Sequence, residues 1–272
     1  RKWPMLNGDL DVMLKLIKVT GRSSAGAPYW QNKADCMQDI LLTGLPLVVD
    51  AIKRGTINKL MIDNPELFLV EVKNKLDRYE ISKLDNKTRP YGCVPAHFSF
   101  LASVLTQRFQ ESLLVFTEDE NSANAYGFSA SKGGLRKLYE WMVNAPKRGR
   151  FICYGDDCRL AFKRPEGVYI VDPDFQQMDG SLAQFDMIFT IDWILKALEK
   201  EDGETSGFWR TFASVWKYLV SDPLMVIEGT TVYRKKQPHG LLSGVPGTTL
   251  FDTVKSIMSW NLYLDTCERT GR

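Results

Sequence analysis

The sequence predicts an α+β fold in which a small antiparallel sheet packs on amphipathic helices. Two observations lead there. Three short apolar runs, Phe151–Tyr154, Arg159–Phe162 and Val168–Val171, follow one another through tight turns, the pattern of an antiparallel meander. On either side, apolar residues recur at helical spacing over long stretches.

The elements follow in chain order. Residues 9–19 read as a short amphipathic helix, followed by a small-residue loop, Ser23 to Pro28. Residues 33–54 and 97–112 carry helical periodicity, and Leu67–Val70 is a strand-like apolar run leading into a basic stretch. Residues 118–134 are polar and rich in Gly and Ser, a loop, and 135–144 are helical. After the meander, 182–199 and 208–220 are helical, and the aromatics of 208–216 lie at core-facing spacing. Residues 224–237 read as a hairpin. A glycine-rich segment, 240–247, then opens an apolar-faced helix over 247–265.

The bulk numbers restrict the chemistry. The 272 residues suffice for one or two domains, and 44% hydrophobic with 25% charged residues is ordinary for a globular chain. No apolar run is long enough to span a bilayer, and no signal peptide is apparent. The chain lacks an initiator Met and is expected to be cut at both ends. A net charge of +2 leaves the partner open, because a basic groove can coexist with acidic exteriors. The 5 cysteines include no CxxC pair, which points to a reducing compartment and away from zinc. With 2 histidines, both more readily structural than catalytic, any metal should be a hard cation held by carboxylates.

Those carboxylates are clustered. Tyr154-Gly155-Asp156-Asp157 lies between two strands; alone, a solvated hairpin turn accounts for it. The meander adds more. If the first strand rises, the second descends and the third rises again, so both outer strands finish at one edge. That edge carries Asp156 and Asp157 on one turn and Asp172, Asp174 and Asp179 after the other. Crowded carboxylates resist joint ionisation unless a cation lies between them. A pair of Mg²⁺ ions suits such a rim and in-line phosphoryl transfer, with Mn²⁺ as a substitute.

Three segments carry a family resemblance. Asp174-Phe-Gln-Gln-Met-Asp179-Gly-Ser-Leu resembles motif A of viral RNA polymerases, Ser243-Gly244-Val-Pro-Gly-Thr248 with Asp252 resembles motif B, and Tyr-Gly-Asp-Asp resembles motif C. Most such polymerases run A, B, C; here the order is C, A, B. That order is similar to the permuted polymerases of permutotetraviruses and birnaviruses. Birnavirus enzymes carry Ala-Asp-Asn at motif C, so Gly-Asp-Asp favours the permutotetravirus type. The resemblance spans roughly residues 22–260.

The resemblance implies a right-hand polymerase core: an antiparallel palm sheet on helices and an α-rich fingers region, with the thumb absent from this chain. Fingers would occupy 1–150 and palm 151–272, with a fingers insertion about 200–237. Asp174, Asp156 and Asp157 would be catalytic metal ligands for two Mg²⁺, and Asp179 would accept from the ribose 2′-OH, the group separating RNA from DNA precursors. Asp172 has no family position and reads as a strand-end acid.

Ser243, Gly244 and Thr248 would line the nucleotide and template channel, although a glycine loop before a helix also suits an ordinary capped start. Asp252 would join in sugar selection, but it stands where the family usually has Asn. A second acid there would repel Asp179 unless one is protonated or hydrogen-bonded.

Lys83, Lys87 and Arg89 resemble motif F over the incoming triphosphate; on charge pattern alone they are a solvated loop. Ser24, Gly26 and Pro28 resemble motif G, which guides the template strand. The implied partners are RNA template and product, ribonucleoside triphosphates, and a protein primer or other viral replication proteins. The implied compartment is the host-cell cytoplasm, with virions as a second. Two rivals compete. A reverse transcriptase also carries Tyr-x-Asp-Asp but usually places an aromatic where Asp179 stands. A non-catalytic RNA-binding domain with a palm-like sheet would bind no metal.

Overall fold

The computed structural model describes residues 3–75, 90–113, 122–126, 128–175, 178–203, 207–227 and 229–270. The chain divides into two compact units, each made of two stretches: 1–108 with 179–248, and 109–178 with 249–272.

The first unit opens with α1 (Leu10–Leu16), capped by the Asp9 side chain, which accepts from the Asp11 N–H at 2.8 Å. The helix expected over 33–54 is narrower and composite. It runs as α2 (Met37–Asp39), a π-helical segment (Ile40–Gly44) and α3 (Leu45–Lys53), followed by α4 (Ile57–Asp63). The π segment ends where Gly44 lies against Tyr29; a Cβ on Gly44 would collide with the Tyr29 hydroxyl. The run Leu67–Val70 is mostly not strand. Pro65–Phe68 is a 3₁₀ turn that buries Leu67 and Phe68, and β1 (Val70–Asn74) begins only after it. Pro65 supplies the fixed φ that suits the first turn of a helix.

β2 (Pro90–Cys93) and α5 (Ala96–Ser112) follow, and the unit boundary falls inside α5. Its sheet has the order β2-β1-β6-β7, with β6 (Leu224–Ile227) and β7 (Thr231–Arg234) forming the expected hairpin. β1 pairs with β2 antiparallel but with β6 in parallel, Val70 opposite Met225.

Helices α7 (Met178–Ser181), α8 (Gln184–Asp202) and α9 (Gly207–Ser221) complete the unit. The aromatic run of α9 is core, as its spacing predicts: Trp209, Phe212 and Trp216 are fully buried. Trp209 reaches its one needed partner, its Nε1–H donating to the Leu6 carbonyl at 2.7 Å. Arg108 and Asp202 form a buried ion pair, each side chain 6% exposed. Burial pushes the Asp202 carboxyl up, but the Arg108 guanidinium and the Leu6 N–H outweigh it and hold it below its ordinary value.

The second unit is the meander. After α6 (Gly134–Val143) come β3 (Arg150–Tyr154), β4 (Asp157–Arg164) and β5 (Gly167–Val171), a sheet of order β3-β4-β5 with both pairs antiparallel. Two clusters hold it. Trp141 and Ala145 pack with Ile152 and Ala161 on one side. On the other, Phe151, Cys153 and Cys158 pack against Phe175, Ile257, Trp260 and Leu264. The last three lie on α10 (Thr248–Thr270), a helix longer than the expected 247–265. Among the described residues no helix is long and apolar enough to cross a membrane.

Candidate active site

The hairpin β3–β4 closes on two residues, Gly155 and Asp156, with Tyr154 opposite Asp157. Gly155 has φ +64°, the left-handed region that a two-residue hairpin turn requires at its first position. The turn therefore needs a glycine directly before the acids, and both acids project from its exposed end.

β5 leads to the remaining acids. Its last pair is Val171 opposite Leu160. Pairing ends there, and the chain runs on through Asp172, Pro173 and Asp174 without strand structure. Arg159 still reaches Asp172, with two bonds of 2.6 Å. The guanidinium holds the Asp172 carboxyl below its ordinary range, which fits the strand-end role expected of it. Phe175 then turns inward, its ring 6.2 Å from Trp260.

Asp156, Asp157 and Asp174 are thus at one end of the sheet, exposed, and paired with no cation of the described residues. They do not converge. Among the described residues no three metal-ligating side chains stand close enough to hold an ion together. Three carboxylates with no cation between them repel, and exposed ones turn apart into water. Their chemistry still fits Mg²⁺: all are hard oxygen donors with open positions for water or phosphate.

The floor of the turn is built by α10. The Gly155 N–H donates to Thr253 Oγ1 at 2.7 Å, and the Ser256 hydroxyl donates to the Gly155 carbonyl at 2.8 Å. Cys153 and Cys158 form a buried cross-strand pair just below, both free thiols, with sulfurs 3.2 Å apart. Tyr126 packs its ring 5.2 Å from that of Tyr154, and burial raises its hydroxyl above the ordinary range. Asp252 is 6% exposed, and its charge is among those that raise Tyr126.

The first unit holds the other candidate residues. Its loop 240–247 is tied to the segment carrying Asp179: the Leu241 N–H donates to the Asp179 carbonyl and the Gly240 N–H to the Leu182 carbonyl, both at 2.7 Å. Lys235 bonds the Gly240 carbonyl. The loop then meets β2, where the Gly92 N–H donates to the Ser243 carbonyl at 2.7 Å. Only glycines allow this approach. A Cβ on Gly92 would stand 2.7 Å from that of Leu242, and one on Gly244, at φ +99°, 3.0 Å from the Gly92 carbonyl. Thr248 turns its hydroxyl back to the Val245 carbonyl at 2.8 Å.

Ser243 and Gly244 open on a cavity of about 840 Å³ that is also lined by Lys73, Lys75 and Tyr91. Sequence reasoning missed these three; only the fold brings them to the loop.

Ser24 is engaged internally. Its hydroxyl donates to Glu71 and accepts from Lys73 and the Gly26 N–H, each at 3.1 Å. Gly26 is buried with φ +70°, and a Cβ would meet the Cys93 carbonyl at 2.7 Å. The backbone that approaches this glycine closely is therefore that of β2. Pro28 is half-buried. Lys83, Lys87 and Arg89 lie outside the described residues.

Over residues 1–272 the chain matches the family described as permutotetravirus RNA-dependent RNA polymerase palm domain. The chain belongs to this family. The order C, A, B read from the three motifs is thereby accounted for. Solved structures agree on the fold of this permutotetravirus palm chain. The birnavirus VP1–VP3 complex is similar with a TM-score of 0.72 at 20% identity, over 89% of this chain. The RNA polymerase VP1 from Infectious Pancreatic Necrosis Virus has 0.71 at 19%, also over 89%. The chain spans about a third of those polymerases, 33% in each case. No curated protein matches it.

Proposed function

We propose that the protein containing this chain synthesises RNA on an RNA template, joining ribonucleotides to an RNA 3′-hydroxyl during viral replication and transcription. The observation that carries this reading is the match to the permutotetravirus polymerase palm family over residues 1–272, a stretch that contains both the Asp156–Asp157 turn and Asp174. Asp174 and Asp156 are the residues to hold two divalent cations, with Asp157 assisting. Bound there, Mg²⁺ lowers the pKa of an attacking hydroxyl and stabilises a leaving pyrophosphate.

The rest is done by this chain's own groups. Asp179 accepts a hydrogen bond from the ribose 2′-OH, which selects ribonucleotides. Asp252 supports that selection. Ser243, Gly244 and Thr248 border the nucleotide, with Lys73 and Lys75 adding cationic lining to the same cavity. Lys83, Lys87 and Arg89 carry the triphosphate, while the loop of Ser24, Gly26 and Pro28 borders the template, with Gly26 buried against β2 within it. We assign fingers to 1–150 and palm to 151–272, with the insertion about 200–237. RNA, nucleotides and a viral protein partner or primer are the ligands, and the host-cell cytoplasm and virion the compartments.

The separation of the acids favours one rival, a palm-like RNA-binding domain without catalysis. Primer extension with the full-length protein, wild type against Asp174→Ala, decides between them. We expect Mg²⁺-dependent extension that the variant loses by about a hundred- to a thousandfold, the scale of a removed transition-state contact. Full extension by the variant overturns the catalytic assignment. A preference for deoxyribonucleotides would make the enzyme a reverse transcriptase.

A further inference from the structure

In a two-residue hairpin the backbone groups of the turn normally face water, and the turn can swing. Here they are buried. Gly155 has no side chain to hold it, yet both of its backbone polar groups are gripped from one face of α10: its N–H by Thr253, its carbonyl by Ser256. Thr253 and Ser256 are three residues apart, so they lie on one helix face. They are 2% and 0% exposed, and water does not compete for these bonds. The Thr253 hydroxyl also donates to the Thr249 carbonyl at 2.6 Å, which leaves its lone pairs to receive Gly155.

The two bonds hold different peptide planes. Thr253 holds the plane between Tyr154 and Gly155, and Ser256 the plane between Gly155 and Asp156. The second plane sets the direction in which Asp156 leaves the backbone. The bonds fix the backbone from which Asp156 projects, so its side chain starts from a set direction when a cation is present. A rotation of either plane would move Asp156 by more than the tolerance of about 0.2 Å on a metal–oxygen contact.

We propose that Thr253 and Ser256 are positioning residues that aim the acidic turn for divalent-cation binding. They act on the turn through the Gly155 backbone, Ser256 reaching the Cys158 thiol as well. The inference rests on the proposed polymerase reading, since it presumes that the turn binds cations.

The test uses the full-length polymerase with Thr253→Val, Thr253→Ser and Ser256→Ala. Mn²⁺ binding is titrated without substrates by electron paramagnetic resonance of the free ion, and primer extension supplies kcat and KM separately. Losing one buried neutral hydrogen bond should weaken Mn²⁺ binding by about three- to tenfold and lower kcat by a similar factor. The KM for nucleotide should change less than about twofold, because the nucleotide contacts are untouched. T253S keeps the hydroxyl and should match the wild type.

If T253V and S256A bind Mn²⁺ as the wild type does, the inference is overturned, whatever happens to activity. Equal losses in T253S and T253V overturn it too, because packing rather than the hydroxyl would then matter. Should T253V fail to fold, S256A decides, since alanine suits a helix interior. An Asp174→Ala variant run alongside separates the two readings. If it extends RNA normally, the polymerase assignment fails while the Mn²⁺ titration still judges the clamp.

Discussion

Lowering the pH should destabilise the first unit through one histidine. His97 is 0% exposed and holds two partners: its Nε2 lies 2.9 Å from the Leu67 carbonyl and its Nδ1 2.9 Å from the Tyr29 hydroxyl. A carbonyl can only accept, so Nε2 carries the proton and Nδ1 receives that of Tyr29. The neutral ring is satisfied on both sides and has no use for a second proton. Burial pushes its pKa down to about 4, against a smaller upward pull from the Leu67 carbonyl. Below about pH 6.5 the unfolded chain therefore takes up a proton that the folded chain refuses. Stability falls from there and stops falling once the folded imidazole titrates near 4. The difference of about 2.5 pH units, at about 1.4 kcal/mol each, amounts to about 3 kcal/mol. That is a sizeable part of the 5–15 kcal/mol typical of a domain, roughly speaking. The assay is urea unfolding of the chain by circular dichroism from pH 7.5 to 4.5, with His97→Gln as reference. Carboxylates titrate in both proteins, so the reading is the difference between them. Gln can donate to Leu67 and accept from Tyr29 without titrating, and its stability should fall less by about 2–3 kcal/mol across the range. Parallel curves would show that His97 is not kept neutral by the fold.

Two further outcomes follow from the same reasoning. Arg108→Met strands the buried Asp202 carboxylate and should cost about 3–5 kcal/mol by urea unfolding, whereas Arg108→Met with Asp202→Leu should recover most of it. Gly155→Ala and Gly149→Ala form a matched pair in the second unit. Both glycines have positive φ, +64° and +84°, and each new Cβ meets its nearest neighbour at an unstrained 3.5 Å. Each should lower stability by about 1–2 kcal/mol through backbone strain alone. Only G155A should weaken Mn²⁺ binding by the full-length polymerase, and equal effects on binding would dissociate the turn from the metal.

Much of the fold was legible in local pattern. The meander strands lie within two residues of their expected bounds, because apolar runs of four residues between Gly, Asp and Pro turns have few other uses. Helix α9 and its buried Trp209, Phe212 and Trp216 follow from 3.6-residue spacing. Where local signals conflicted, reading failed. Leu67–Val70 looks like a strand, but Pro65 starts a 3₁₀ turn and tertiary packing buries Leu67 and Phe68 from it. β2 contains Pro90 and Gly92, which local propensity disfavours in a strand, and it exists because β1 and the Ser243 loop supply its partners.

The sequence by itself determined the kinds of group available: three acids on a meander, a Ser-Gly loop before a helix, and almost no histidine. Those are properties of short segments, set by turn chemistry and periodicity over a few residues. Only the tertiary structure decided what those segments lean on. Nothing in the residues near Gly155 names Thr253 and Ser256, about a hundred positions away, as the hydroxyls beneath it. Nor could local pattern pair Val70 with Met225 in parallel or bring Lys73 and Tyr91 to Ser243. Hydrogen bonds and packing act across space, and chain distance records nothing of them until the core has formed.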